Sequence, residues 1–201
     1  MDLSMSQPTE TRAEQRRKQV LDAAAECFLK YGFRGASIAR ISKVAGMSPG
    51  HIYHFFPNKE AIIAGIVARR LEIGLELVAG FEAAEQPFEA MVRDVDTIMA
   101  RKTESEYSGM WLEILAESAR NPKIAAIIQE ADRAMRERIT KLEALARQRR
   151  GVESSLPTEA VTEVAMALFE GMSNRIVLNP EMDRKQAEAV LRHALEAILL
   201  A

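Results

Sequence analysis

The sequence predicts an all-α protein, and three observations carry that prediction. Apolar residues recur at spacings of three and four almost throughout the 201 residues. Stretches rich in Val, Ile and Thr with a period of two are missing. Cap residues, prolines and glycines punctuate the periodic segments where helices start and stop. The spacing predicts about nine helices and no internal repeat. At this length, and 48% hydrophobic, the chain can bury a sizeable core in one or two domains.

The first helix begins near Thr11, where Thr11-x-x-Glu14 has capping-box form. Its apolar stripe of Val20, Ala24, Cys27, Phe28 and Tyr31 is expected to be buried, and Gly32 to end it. Cys27 sits on that stripe as a small hydrophobe. Residues 1–10 precede the first cap and are expected to form a flexible tail. Ser37 caps a short helix, Ile38 to Ala45, which Gly46 stops.

Ser48 caps the third helix, with Pro49 at its first position, where a missing N–H costs nothing. Met47 and Ile52 have the spacing of a hydrophobic staple, and Pro57 ends the segment. The second and third helices, joined through Gly46, Met47 and Ser48, form a helix-turn-helix. Asn58 caps a long fourth helix through Ile62, Ile66, Val67, Leu71, Leu75 and Val78 toward Gly80.

Pro87 opens a fifth helix with Phe88, Met91, Val92, Val95 and Ile98 on one face. A sixth carries Met110, Trp111, Ile114 and Leu115. Asn121-Pro122 starts the seventh, which ends in Arg147, Arg149, Arg150 and Gly151, suited to a helix C-terminus. Pro157 is expected as the first residue of the eighth, with Val161, Val164, Ala165, Leu168, Phe169, Met172 and Ile176 apolar. Asp183 and Gln186 cap the ninth, whose apolar positions include Val190, Leu191 and Leu195. Gly171, inside the eighth helix, costs ~1 kcal/mol relative to alanine and so suggests a close helix contact.

Charge is unevenly spread. Residues 1–60 carry nine Lys/Arg against six Asp/Glu, a net of +3, and the remaining 141 carry 18 against 23, a net of −5. The overall −2 argues against non-specific coating of nucleic acid, yet it leaves the N-terminal part basic. No apolar run approaches membrane-spanning length and nothing resembles a secretory signal, so a cytoplasmic location is expected.

Sequence-specific DNA binding needs a helix that enters the major groove and groups that hold phosphates on either side. With Ile52 and Phe56 turned inward, the third helix would present Pro49, Gly50, His51, Tyr53 and His54 outward, and Gly50 permits close backbone approach. Arg12, Arg16, Arg40 and Lys59 lie in first turns, where the helix macrodipole disfavours cations by ~0.3–1 kcal/mol, as though an external anion compensated them. Ser37, Ser48, Tyr53 and Lys59 would meet phosphate oxygens.

Residues 13–60 resemble the DNA-binding domain of the tetracycline-repressor (TetR) family of bacterial regulators. The likeness rests on "FLKYGF", "ASIARISKVAGMS" and "PGHIYHFFPNKEAI", close to that family's Gly-x-x-Tyr-x-x-Phe-x-x-Lys-Glu pattern at Gly50, Tyr53, Phe56, Lys59 and Glu60. It implies operator contacts by Ser37, Ser48, Gly50, Tyr53, His54 and Lys59. Two positions depart from the pattern: Ala36 replaces the usual Thr, and Phe55 stands where many relatives have a phosphate-binding His.

The resemblance also implies a DNA-binding domain of residues 1–60 and a ligand-binding and dimerisation domain of residues 61–201. A small-molecule pocket is expected among Met91, Val95, Met99, Met110, Trp111, Ile114, Phe169 and Met172. The last two helices, residues 157–201, would form a homodimer, giving two reading heads for a palindromic operator. The expected function is a repressor released from DNA by a small molecule; the alternatives are an activator, or a regulator controlled by a protein partner.

Other classes fare worse. A helical enzyme finds one histidine and no cysteine in the C-terminal half, and no nucleophile, base and orienting group at recognisable spacing. An architectural DNA protein would want a more basic chain. No cofactor is expected. No metal is expected either, because near His51 and His54 the chain offers no cysteine and only Glu60 as a carboxylate. Glu113 and Glu117 beside Trp111 could attract a cationic aromatic ligand, but the favoured reading is that both are solvated.

Overall fold

A computed structural model describes residues 11–103, 105–151, 153 and 155–200. The tail expected over residues 1–10 lies outside them. The described residues form ten α-helices: α1 (Arg12–Gly35), α2 (Ile38–Ala45), α3 (Pro49–Phe55), α4 (Lys59–Ala83), α5 (Pro87–Arg93), α6 (Val95–Thr103), α7 (Ser105–Ser118), α8 (Pro122–Arg150), α9 (Thr158–Leu178) and α10 (Arg184–Leu200). None of them is long and apolar enough to cross a membrane.

Local capping chemistry sets most boundaries. Thr11 accepts from the Glu14 amide while the Glu14 carboxylate accepts from the Thr11 amide, a complete capping box. Ser37 and Ser48 accept from the amides of Arg40 and His51, and Asn58 from that of Ala61. Gly46 ends α2 in the left-handed region, φ 62°, which lets the Met47 amide reach the Ser42 carbonyl. Pro157 lies one residue outside its expected position: it is the cap of α9, and its carbonyl accepts from the Val161 amide.

Two helices are interrupted. Gly32 takes φ 66° and ψ 171° inside α1, a kink after which the helix makes one more turn to Gly35. The expected fifth helix is two, because Asp94, with ψ 18°, leaves helical geometry between α5 and α6. Its carboxylate accepts from the Arg93 guanidinium at 2.7 Å.

The chain divides into two compact units, one through Ile66 and one from Val67, and α4 runs unbroken across the division. In the first, α1 packs on α2 and α2 on α3. Val20, Ala24, Cys27, Phe28, Ile41, Ile52 and Phe56 are buried, and burial pushes the Cys27 thiol up. Tyr31, expected on that buried stripe, is instead 42% exposed. The Arg40 guanidinium lies 4.4 Å from its ring centre, and Lys30 approaches the same ring.

The second unit holds one core of Phe88, Val92, Val95, Met99, Ala146, Val161, Ile176, Leu191, Leu195 and Leu199. Another gathers Val78, Phe81, Ala90 and Leu142, and Met91 packs against both. Val164 and Val190, expected on apolar stripes, face solvent, as does Leu178. Gly171 makes no close contact either, because a Cβ built there meets nothing within 4 Å.

Candidate nucleic-acid interface

α3 is seven residues long and is anchored by one residue within it and by its C-cap. Ile52 and Phe56 are fully buried, and the Arg17 guanidinium from α1 covers the Phe56 ring at 4.4 Å. Gln19 of α1 also donates to the Ala45 carbonyl at 2.8 Å, tying α1 to the end of α2. With that side of α3 held down, Pro49, Gly50, His51, Tyr53 and His54 are all exposed. Nothing lies within 4 Å of a Cβ built on Gly50, so the backbone there is open to an incoming surface.

The exposed aromatics are ordered among themselves. The His51 and Phe55 ring centres are 5.4 Å apart and tilted by 31°, and those of His54 and Phe55 are 5.2 Å apart at 76°. Phe55 itself is half-buried.

Around this head lie Ser37 and Ser48, whose hydroxyls already accept the cap amides, and Arg40 and Lys59. The two cations have partners inside the chain. Arg40 Nη1 donates to the Gly35 carbonyl at 2.8 Å, and Lys59 Nζ donates to the Phe33 carbonyl at 2.7 Å while lying 4.3 Å from the Phe33 ring centre. Both carbonyls belong to the last turn of α1, the electron-rich end of that helix. The end of α1 is thus an internal partner for both cations that the sequence reading did not foresee. Arg16 likewise donates to Gln19 at 2.9 Å.

Tyr31, Phe33 and Phe55 were not singled out by sequence as partners of the head. The signal for Phe33 was weak, since Lys59 and Phe33 are 26 residues apart.

In the second unit, Met91, Val95, Met99, Phe169 and Met172 of the expected pocket come together in one core. Met110 and Ile114 are buried on α7, and Trp111 is half-buried there. The Arg70 guanidinium lies 4.0 Å from the Trp111 ring centre, so a cation of the chain itself occupies that indole face. Glu113 is exposed as expected, but Glu117 is 6% exposed and pairs with Arg120 at 3.2 Å. The pair of solvated carboxylates is thereby corrected to one, and the second carries its own counter-ion.

Two family models match the chain. Residues 20–66 match the tetR family of bacterial regulatory proteins, and residues 87–200, more than half of the chain, match the C-terminal part of BetI-type transcriptional repressors. The chain is 26% identical over 194 residues to the HTH-type transcriptional regulator UidR of Escherichia coli K12, covering 94% of each. It is 26% identical over 176 residues to the HTH-type transcriptional repressor AcnR of Corynebacterium jeikeium K411, covering 86% of this chain and 87% of that relative.

Among solved structures it shares the fold of Salmonella enterica GusR, with a TM-score of 0.79 at 23% identity over 95% of this chain and 98% of that one. The SmeT–triclosan complex gives a TM-score of 0.78 at 19% identity, over 92% of this chain and 90% of that one. Helix order, the capped turn before α3 and both family matches agree: this chain belongs to the tetR family of bacterial regulatory proteins and is a DNA-binding transcriptional regulator.

Proposed function

We propose that the chain is a homodimeric repressor that grips a palindromic operator with α3 of each protomer and releases it when a small molecule occupies the C-terminal domain. In this reading residues 1–60 form the DNA-binding domain and residues 61–201 the ligand-binding and dimerisation domain. The observation that carries it is the two-sided character of α3: Ile52 is buried and Phe56 closes the helix as a buried cap, while Pro49, Gly50, His51, Tyr53 and His54 are exposed. A helix anchored in that way presents base-reading groups in a fixed register. The chromosome being the target, the chain acts in the cytoplasm.

Phosphate contacts fall to Ser37, Ser48, Arg40, Tyr53 and Lys59. Arg40 and Lys59 use only part of their donor capacity on α1, and a lysine has three N–H donors, so both can hold a phosphate as well. Two heads on a two-fold axis would meet major-groove half-sites about one helical turn, ~34–36 Å, apart.

Release follows from coupling. A ligand bound preferentially by the conformation in which the heads are wrongly spaced weakens DNA binding by its differential affinity, typically ~1–3 kcal/mol. The unbroken α4 connects the two domains covalently through helix. The proposed pocket comprises Met91, Val95, Met99, Phe169 and Met172, together with Met110, Trp111 and Ile114 of α7. A complex of a structural relative with triclosan supports a small-molecule effector. The lining is rich in Met, which adapts to irregular apolar ligands.

The test is selection from a genomic-fragment pool at moderate salt with excess competitor DNA. Recovery of a palindromic motif, lost in Tyr53→Ala without loss of the dimer, is the expected result. Retention of no motif by the wild-type chain would overturn the reading.

A further inference from the structure

We propose that Phe55 is a positioning residue that sets the base selectivity of the recognition helix by holding the imidazoles of His51 and His54 in fixed orientations toward purine edges. The inference rests on the reading of α3 as the DNA-binding helix.

Phe55 has no place in the core. Ile52 and Phe56 take the buried positions, and Phe55 is left half-buried at the end of α3. An aromatic ring in that position leaves apolar surface to be covered, and two imidazoles cover it. His51 is four residues earlier, on the same side of the helix, and lies against Phe55 with centres 5.4 Å apart and a tilt of 31°. His54 meets the ring edge-on, at 5.2 Å and 76°. One phenyl ring therefore contacts both histidines that face outward from the helix.

The consequence is preorganisation. An exposed histidine on a helix samples several rotamers, and a base contact must freeze them at the moment of binding. Here the freezing is done in the free protein by ring contacts, so less of the contact's worth is lost on docking and the direction of each N–H is set beforehand. An imidazole carries at least one N–H donor. For such a donor the major groove offers N7 on both purines, with O6 beside it on guanine, against O4 alone on thymine and no acceptor on cytosine, so purine edges are the commoner match. Phosphate-holding groups fix where the head sits and carry no sequence information; the Phe55-held imidazoles supply it.

Phe55→Leu keeps the apolar volume and removes the ring, whereas Phe55→Tyr keeps both. Binding of wild-type chain and both variants to the selected operator and to its single-base substitutions, together with imidazole proton shifts of the free proteins, separates the possibilities. Phe55→Leu is expected to lose discrimination at one or two purine positions per half-site by at least about fivefold while keeping its affinity for unrelated duplex. The His51 and His54 ring protons are expected to lose their ring-current shifts in the same variant. Phe55→Tyr is expected to restore both properties. Unchanged discrimination in Phe55→Leu, or imidazole shifts that do not respond to removal of the ring, would overturn the proposal alone. Absence of any selective binding by the wild type would overturn it together with the functional reading.

Discussion

Lys59, at the start of α4, donates through Nζ to the backbone carbonyl of Phe33 at 2.7 Å, with its ammonium over the Phe33 ring. The first residue of one helix thus satisfies a carbonyl in the last turn of another, where the macrodipole favours a cation. The same lysine stands in the assigned phosphate-binding set.

Lys59→Met separates the two roles. Losing the charge-assisted bond of a half-exposed lysine is expected to destabilise the first unit by about 1 kcal/mol, visible as a melting shift of several degrees. Losing a phosphate contact is expected to lower the magnitude of the salt slope of operator binding by about one per protomer. A lower melting temperature with an unaltered salt slope would leave Lys59 as a helix cap only.

Two glycines of α4 should respond differently to alanine. A Cβ on Gly65 would lie 2.9 Å from Leu21 Cδ2 and 3.0 Å from Phe56 Cε1, and the Phe56 ring is locked in the core. Overpacking of that kind costs ~1–3 kcal/mol against a helix-propensity gain of ~1 kcal/mol. Gly65→Ala is expected to be destabilising and, through the Phe56 anchor of α3, to weaken operator binding. At Gly74 the overlap is with the terminal methyl of Met135, a flexible side chain only partly buried. Gly74→Ala is expected to change stability by less than about 1 kcal/mol in urea denaturation. Equal losses at both positions would contradict the packing described.

What could be read from sequence divides by range. Thr11 with Glu14, Ser37 with Arg40 and Ser48 with His51 are cap pairs within three residues, so the side chain that satisfies each helix start is visible beside it. The outward set of α3 follows from the same register, once Ile52 and Phe56 are taken as core. The roles of Lys59 and Arg40 were not legible, because the Phe33 carbonyl is 26 residues from Lys59 and the Gly35 carbonyl lies on the preceding helix, past the break at Gly32.

Apolarity at Val164 and Val190 was legible, but not that they face outward in the single chain, since an apolar stripe reads alike whichever partner covers it. Gly171 reads alike for a related reason. A small residue in a helix signals that something approaches closely, and among the described residues a Cβ at this position meets nothing within 4 Å, which leaves the contact to a second copy.

Glu143 gives a pH dependence of stability. It is 2% exposed between α8 and α9, its Oε1 lies 2.6 Å from Arg147 Nη2, and Thr162 donates to its Oε2 at 3.0 Å. Burial raises the carboxyl above its ordinary range despite both partners. A raised value means that the folded state holds the proton more tightly than the unfolded chain does. That stabilising contribution is complete below about pH 4.3 and disappears as pH rises through the folded value. Glu143→Gln does not titrate there, so its stability relative to wild type is expected to improve as pH is raised from about 4 to about 7, measured by urea denaturation at each pH. A difference that stays constant over that interval would mean that Arg147 and Thr162 fully compensate the burial. Glu143→Ala, which removes the carboxylate and leaves the Arg147 guanidinium only the Leu156 carbonyl and the Thr158 hydroxyl, is expected to cost about 3 kcal/mol.

The outward face of α9 carries the last prediction. Val164, Ala167, Gly171 and Leu178 follow one another at spacings of three, four and seven, which places them on one side of the helix, and all four are exposed. Leu178 is 73% exposed, and Val190 of α10 is 68% exposed. Apolar surface left open in that pattern is what a second copy of the chain would cover across a two-fold axis, and Gly171, with no Cβ and no neighbour of its own, is where two such helices can come closest. Val164→Glu with Leu178→Glu is therefore expected to give a folded monomer by sedimentation, with operator affinity reduced because one head binds alone. Gly171→Leu sharpens the test. In an isolated protomer it meets open space and gains helix propensity, so it should raise monomer stability, yet between two packed helices its side chain has no room. Dissociation of the dimer in Gly171→Leu, with unfolding no easier than in wild type at the same monomer concentration, is the expected outcome. A dimer that tolerates leucine at this position would move the interface off this face of α9.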